Sequence, residues 1–224
     1  MIPWQQLDEV SIPGGRGRLS LHRRGVEHSI RIDGAELMNS RQHGSEEALA
    51  KLGCAPIRGR ENARVVVGGL GMGFTLAATL AQLGSDAEVV VAELVSAVVA
   101  WNRSHLGELA GHPLKDPRVS VREGDVAALL REHKEAYDAI LLDVDNGPSG
   151  LTRESNTWLY ASAGITAARS ALRDGGVLSV WSVAQDDTFT KRLWKGGFDV
   201  TVETVAARVG NKGARHTVWV AVKT

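Results

Sequence analysis

The chain has 224 residues, a length that suits one α/β domain with a short appendage. Basic and acidic residues balance at 26 each, so no net charge draws the protein toward nucleic acid or an anionic membrane surface. There is no secretory-signal pattern at the start, no apolar run of the roughly twenty residues that a membrane span needs, and a single cysteine, so we expect a cytoplasmic protein that binds neither nucleic acid nor membrane.

The first predicted unit is a small β-hairpin between residues 11 and 41. Apolar residues alternate over residues 26–32, and an Asp-Gly turn dipeptide follows them. The stretch EEALAKLG then predicts a helix with Ser45 as its N-cap and Gly53 as its stop. We assign residues 1–62 to this N-terminal extension of hairpin and helix.

From residue 63 onward, strand and helix patterns alternate. Five β-branched runs predict strands: ARVVV, AEVVVAE, RVSVRE, YDAILLD and GVLSVWS. Helical periodicity covers residues 75–83, 95–109, 126–133, 157–172 and 187–195. This alternation predicts a mostly parallel sheet with crossover helices on both faces. Two extended runs around a Gly-containing connection end the chain and predict an antiparallel hairpin, so we assign 63–224 to one domain.

The first of these strands runs into the glycine-rich loop GGLGMG. Glycines let a ligand approach the backbone closely, and the N-terminus of the next helix offers free amides. A dinucleotide fingerprint counted from Gly69 would need its last glycine at Phe74, so the spacing favours a nucleoside sulfonium over NAD. Gly69, Gly71 and Gly73 are therefore candidate cofactor-binding residues. A tight turn that binds nothing is the alternative.

Two carboxylates lie at the ends of the second and third strands. Glu93 lies about twenty residues past the glycines, where this architecture carries the carboxylate that accepts both ribose hydroxyls. Asp125 precedes a predicted helix and is suited to cap it. Its carboxylate could also contact the adenine amino group, and the two roles are compatible. A polar strand terminus is the alternative for Glu93.

The fourth strand delivers Asp143, and Asp145 follows it in the stretch VDNGPSG. Ligands of open α/β sheets bind beyond the carboxyl ends of the strands, so both aspartates are candidate catalytic residues. Neighbouring carboxylates could hold an amine or take its proton. A solvated loop is the alternative. We predict no metal site, because no His or further ligand run accompanies these aspartates and Asn146.

These motifs together resemble the spermidine synthase branch of the class I S-adenosylmethionine-dependent methyltransferase superfamily. The resemblance covers residues 19–181 and is most specific from VVAWNR through DPRV to GD. It implies a Rossmann-like fold with a seven-stranded, mostly parallel sheet. It also implies ribose binding by Glu93, adenine contact by Asp125 and a substrate-amine role for Asp143.

The sequence departs from that family at three points within the expected site. Gly71 stands where spermidine synthases usually carry an aspartate in the glycine loop. Their D-x-x-D-P arrangement is replaced by DVDNGP, which begins at Asp143. The Tyr-His pair that the family places just after the N-terminal hairpin is not evident in RQHGSEEAL. These positions normally hold the aminopropyl donor and the polyamine.

Three functions stay open at this point. The first expectation is a methyltransferase that uses S-adenosylmethionine and acts on a small molecule. The alternatives are an aminopropyltransferase that uses decarboxylated S-adenosylmethionine, and a non-catalytic binding module on the same scaffold. The presence of Glu93, Asp125 and Asp143 argues against the last. The acceptor is expected to be a small molecule, with an amine as one candidate, and the resemblance allows a homodimer.

Overall fold

The N-terminal part of the chain folds into an antiparallel sheet of four strands. This computed structural model describes residues 2–14, 17–144, 154–210 and 212–224. The strands are β1 Gln5–Ser11, β2 Arg18–Arg24, β3 Glu27–Ile32 and β4 Ala35–Asn39, and they pair in chain order. The predicted hairpin unit is therefore present but larger.

Strand β1 was not predicted because apolar and polar residues do not alternate along its sequence. Its apolar residues Leu7 and Val10 lie three positions apart, and the register with β2 shifts between Gln6 and Asp8. The shift lets both apolar side chains pack on the core even though their spacing is not that of a regular strand.

The rest of the chain builds the main sheet and its helices. The strands are β5 Arg64–Gly68, β6 Glu88–Glu93, β7 Val119–Glu123, β8 Tyr137–Leu142, β9 Leu172–Ser182, β10 Phe198–Arg208 and β11 Lys212–Lys223. The helices are α1 Gly44–Cys54, α2 Phe74–Gln82, α3 Ser96–Arg103, α4 Val126–Glu132, α5 Glu154–Tyr160, α6 Ser162–Ala171 and α7 Asp187–Lys195. The strand order is β10-β11-β9-β8-β5-β6-β7, with β5 to β9 parallel and the last two strands antiparallel. The predicted fold class is confirmed.

Strand β5 lies at the point where the chain reverses its direction across the sheet. The chain passes from β5 to β6 and β7 on one side, and then returns to β8 on the other side of β5. The crossovers on the two sides therefore diverge beyond the carboxyl ends of β5 and β8, which opens a crevice there. The fold thus brings the glycine loop after β5 next to the residues after β8.

Alternate residues of the central strand face two apolar layers. Val65 and Val67 belong to the cluster that includes α1, α2 and the N-terminal sheet, whereas Val66 belongs to the cluster on the opposite face. Each fully buried valine or leucine contributes about 1.5–3 kcal/mol to stability. Residues on both sides of the assigned boundary at residue 62 share the first cluster, so the division into two domains stays a prediction.

Helix α1 differs from its prediction at both ends. It begins after His43, and Ser45 does not cap it: the buried Ser45 hydroxyl instead donates to the carboxylate of Glu46. Gly53 lies inside the helix and does not stop it. A Cβ atom at Gly53 would collide with Leu141 and Ser179, so this glycine serves the close approach of α1 to the sheet.

Two predicted helices are each interrupted. The helix predicted over 157–172 is divided into α5 and α6 at Ala161, whose ψ is 166°. Gly164 permits the tight junction, because a Cβ atom there would meet the last carbonyl groups of α5. The helix predicted over 95–109 ends at Arg103, and a separate 3-10 turn follows at Gly107–Ala110. Among the described residues, no helix is long and apolar enough to cross a bilayer.

Candidate active site at the switch point of the sheet

The glycine loop between β5 and α2 follows a path that side chains would obstruct. Gly69, Gly71 and Gly73 have φ values of 87°, 51° and 86°, in the left-handed region that favours glycine. A Cβ atom at Gly69 would collide with the backbone oxygen of Asp143. The loop therefore packs directly on the chain that leaves β8, and α2 begins at its end.

A buried asparagine holds the same loop from α3. The Nδ2 atom of Asn102 donates to the backbone oxygen of Gly71 at 2.8 Å and to that of Val98 at 2.9 Å. Asn102 is only 2 % exposed. Sequence reasoning did not single out this residue, although it lies in the VVAWNR stretch that carries the most specific resemblance.

Glu93 ends β6 and reaches under the glycine loop. One carboxylate oxygen accepts from the backbone N–H of Leu70 at 2.9 Å, and the other from that of Val95 at 2.8 Å. Burial raises the pKa of Glu93, and these backbone hydrogen bonds partly oppose that rise. Glu93 thus fixes the loop to the end of β6. Ribose binding by this residue stays a prediction.

Asp125 caps α4, as the sequence predicts. Its Oδ1 atom accepts from the backbone N–H of Ala127 at 2.8 Å. The residue follows β7, whose neighbour β6 ends in Glu93. Both carboxylates therefore lie at the carboxyl edge of the sheet. The adenine contact predicted for Asp125 stays a prediction.

Asp143 directly follows β8 and is hydrogen-bonded to β5 and to α2, the two elements that the glycine loop connects. Its backbone N–H donates to the oxygen of Gly68 at 2.8 Å, and its Oδ2 atom accepts from the Thr75 hydroxyl at 2.5 Å. Burial raises the pKa of Asp143 to about 6, although the Thr75 hydrogen bond opposes this. The second predicted catalytic residue, Asp145, lies outside the described residues.

A cavity of about 220 Å³ opens beside Asp143. The end of the N-terminal sheet, α1, β11 and the carboxyl ends of β8 and β9 surround it. In the part of the chain that the structure describes, three carboxylates line it, those of Glu36, Glu46 and Asp143, and no Lys or Arg side chain does. Trp181 of β9 forms part of the wall. The cavity therefore favours a cationic occupant.

Glu46 is a cavity residue that sequence reasoning missed. Burial and the charge of Asp143 raise its pKa to about 8, while a hydrogen bond from Ser45 lowers it. In the sequence, Glu46 and Glu47 indicate only an acidic first turn of a helix, which favourable interaction with the helix dipole explains. Only the packing of α1 against the sheet decides that Glu46 lines the cavity and Glu47 does not.

His216 is a further missed residue, and it reaches the cavity from the C-terminal hairpin. Its Nδ1 atom lies 2.9 Å from the hydroxyl of Ser45, and its ring meets the Trp181 ring edge to face at 4.8 Å between centroids. Burial lowers the pKa of His216. Within the described ranges, no group of three or more His, Cys, Asp and Glu side chains could hold a metal ion.

The sheet order and the glycine loop after β5 define a Rossmann-like protein of the class I methyltransferase type. The profile of the family described as "Spermine/spermidine synthase domain" matches residues 42–202, well over half of the chain. The chain therefore belongs to the spermine/spermidine synthase family. The matched range begins later and ends later than the resemblance over residues 19–181.

Individual relatives agree with this assignment. The polyamine aminopropyltransferase of Korarchaeum cryptofilum (strain OPF8) is 30% identical over 91 residues, which are 41% of this chain and 27% of that enzyme. The aligned segment thus spans about a quarter of the curated relative. Two crystal structures of spermidine synthase, one in complex with the transition state analogue AdoDATO and one from Thermotoga maritima, match with a TM-score of 0.75 at 17% identity. Each match covers 98% of this chain and 73% of the other, and this likeness shows the fold.

Proposed function

We propose that the protein is an aminopropyltransferase of the spermidine synthase type. It would move the aminopropyl group of decarboxylated S-adenosylmethionine to a small amine. Membership of the spermine/spermidine synthase family and the name of the curated relative favour this alternative over the methyltransferase that the sequence first suggested. The observation that carries the proposal is the acidic cavity, which lies next to the glycine loop and has three carboxylates among its described lining residues.

The chemistry of the side chains fits both substrates of such a reaction. The donor supplies a cationic sulfonium that makes the attached carbon reactive toward an amine. The glycine loop and Glu93 are the proposed site for its nucleoside, with Asp125 near the base. Asp143 adjoins the loop through Gly68 and Thr75, so its carboxylate stands between the nucleoside side and the cavity. In this position it would orient the acceptor amine and accept its proton.

Methyl transfer is the second candidate, and the environment of Gly71 favours it. An added Cβ atom at Gly71 would lie 3.1 Å from both Sδ and Cε of Met38. Met38 thus packs its thioether against the position at which the family usually carries an aspartate. That wall of the site therefore lacks a carboxylate. A donor of an aminopropyl group requires this carboxylate, whereas a donor of a methyl group does not.

Product analysis tests the proposal and separates the two candidates. The full chain is incubated with 1,4-diaminobutane and either decarboxylated S-adenosylmethionine or S-adenosylmethionine, and the nucleoside product is identified by mass spectrometry. We expect methylthioadenosine from the decarboxylated donor. Formation of S-adenosylhomocysteine alone would establish methyl transfer. Calorimetry completes the test: methylthioadenosine should bind and NAD should not, and tight binding of NAD alone would reject the nucleoside-sulfonium assignment.

A further inference from the structure

Glu46 and Asp143 come from different elements and meet in one cavity. Glu46 belongs to the first turn of α1, and Asp143 follows β8. Both line the cavity, and each is only half-buried. Two carboxylates that face one cavity repel each other unless a proton or a cation lies between them. The pair therefore has the charge arrangement of a cation site.

A chain of two hydrogen bonds orients the Glu46 side chain. The Ser45 hydroxyl donates to Oε2 of Glu46 at 2.7 Å. Because a hydroxyl carries one hydrogen, Ser45 can only accept from Nδ1 of His216, 2.9 Å away. His216 is therefore the tautomer with a proton on Nδ1. Its lowered pKa keeps the ring neutral, so it orients Glu46 without neutralising it.

The other charged groups around Glu46 leave its charge unbalanced. Glu47, its neighbour on α1, is bound to His43 at 2.7 Å. Glu36 of β4 lines the cavity, but its two oxygens accept from the Ser29 hydroxyl and the Asn39 amide. Asp143 accepts from the neutral Thr75 hydroxyl. Among the described residues, every group with a full charge that lines this cavity is thus acidic, and each carboxylate is bonded to neutral donors.

We propose that Glu46 is a specificity-determining residue of the acceptor site. Together with Asp143 it forms a two-carboxylate seat for the ammonium group of an amine, and Ser45 and His216 are positioning residues for it. The inference rests on the proposed function and adds to it a residue from α1. The seat binds the ammonium form. One of its carboxylates then takes the proton and leaves the amine neutral, with a free lone pair. This lone pair forms the new N–C bond while the C–S bond breaks. The electrons of the C–S bond stay on sulfur and neutralise the sulfonium.

The affinity for an amine tests the seat directly. Calorimetry with the full chain and methylthioadenosine measures 1,4-diaminobutane binding to the wild type, Glu46→Gln and Glu47→Gln. Gln keeps the size of Glu46 and an oxygen for Ser45, but removes the charge. We expect Glu46→Gln to weaken binding by about tenfold or more, and Glu47→Gln, the matched control, to change it by less than about twofold. Glu46→Asp should restore part of the affinity.

A separate readout distinguishes a positioning role for Ser45 from a structural one. Ser45→Ala removes the hydrogen bond that lowers the pKa of Glu46. The pH at which amine binding is half-maximal should therefore move upward, with an unchanged affinity for methylthioadenosine. An unmoved pH profile overturns the positioning role.

The same experiments separate this inference from the proposed function. If Glu46→Gln binds the diamine as the wild type does, or if the wild type does not bind it, the seat is refuted. If the wild type binds it in a Glu46-dependent way but forms no methylthioadenosine from decarboxylated S-adenosylmethionine, the seat stands and the aminopropyltransferase is rejected.

Discussion

The Thr75 hydroxyl donates to Oδ2 of Asp143 at 2.5 Å, which links the first turn of α2 to the end of β8. Through this bond the helix that follows the glycine loop and the proposed base form one unit. A substitution at one of the two residues should therefore affect the other. The bond also lowers the pKa of Asp143 against the stronger effect of burial.

The first prediction concerns Asp143 itself. Asn has the same shape and can still accept from Thr75, but it cannot take a proton. Asp143→Asn should reduce turnover by about 10²- to 10⁴-fold and change methylthioadenosine affinity by less than about tenfold. Steady-state kinetics and calorimetry measure the two effects. Asp174→Asn, at an exposed aspartate on β9, is the control. Wild-type turnover, or a complete loss of nucleoside binding, would remove Asp143 from the acceptor side.

The second prediction concerns Glu93 and the nucleoside. Replacement by Ala leaves the backbone N–H groups of Leu70 and Val95 without their acceptors and removes the proposed partner of the ribose. We expect Glu93→Ala to weaken methylthioadenosine binding by about 1–3 kcal/mol. Glu88→Ala, at the exposed start of the same strand, should leave the affinity unchanged. Equal affinities of the two variants would contradict the assignment of Glu93.

Sequence patterns predicted the parts of this site that lie on regular elements. Glu93 ends a strand of the parallel sheet, and Gly69, Asp125 and Asp143 each follow one. The carboxyl ends of parallel strands meet at one edge whatever the detailed packing. Their spacing along the chain was therefore sufficient to bring them together.

The missed residues depend on tertiary packing. Glu46 lines the cavity only because α1 approaches the sheet closely at Gly53, and His216 does so only because β11 inserts next to β9. No local period encodes either approach. The division between α5 and α6 was missed for a similar reason, since Ala161 has no turn signature of its own and the close contact of Gly164 with α5 fixes the junction.

The third prediction concerns stability and pH. Burial and the Asp143 charge raise the pKa of Glu46 from 4.5 to about 8, so over this range the folded protein holds a proton that the unfolded chain has released. The contribution of Glu46 to stability therefore falls as the pH rises from about 4.5 to about 8. Glu46→Gln removes this loss and should raise Tm relative to the wild type by about 5 °C or more at about pH 9, with no such gain at about pH 4. Thermal scans at both pH values measure it, and a gain of the same size at both would show that the group does not titrate as stated.

The fourth prediction compares two glycines with similar backbone angles. Gly59 and Gly69 have φ values of 80° and 87°, so Ala strains the backbone at either position by about 1–2 kcal/mol. An added Cβ atom meets nothing within 4 Å at Gly59, but at Gly69 it collides with the backbone oxygen of Asp143. Gly69→Ala should therefore lose a further amount of stability, about 1–3 kcal/mol, which is the usual cost of overpacking. It should also weaken methylthioadenosine binding by more than about tenfold. Gly59→Ala should retain the affinity. Denaturant unfolding and calorimetry on the two variants measure these differences, and a Gly69→Ala protein that matches Gly59→Ala in both would show that the contact between the glycine loop and Asp143 is not needed for the site.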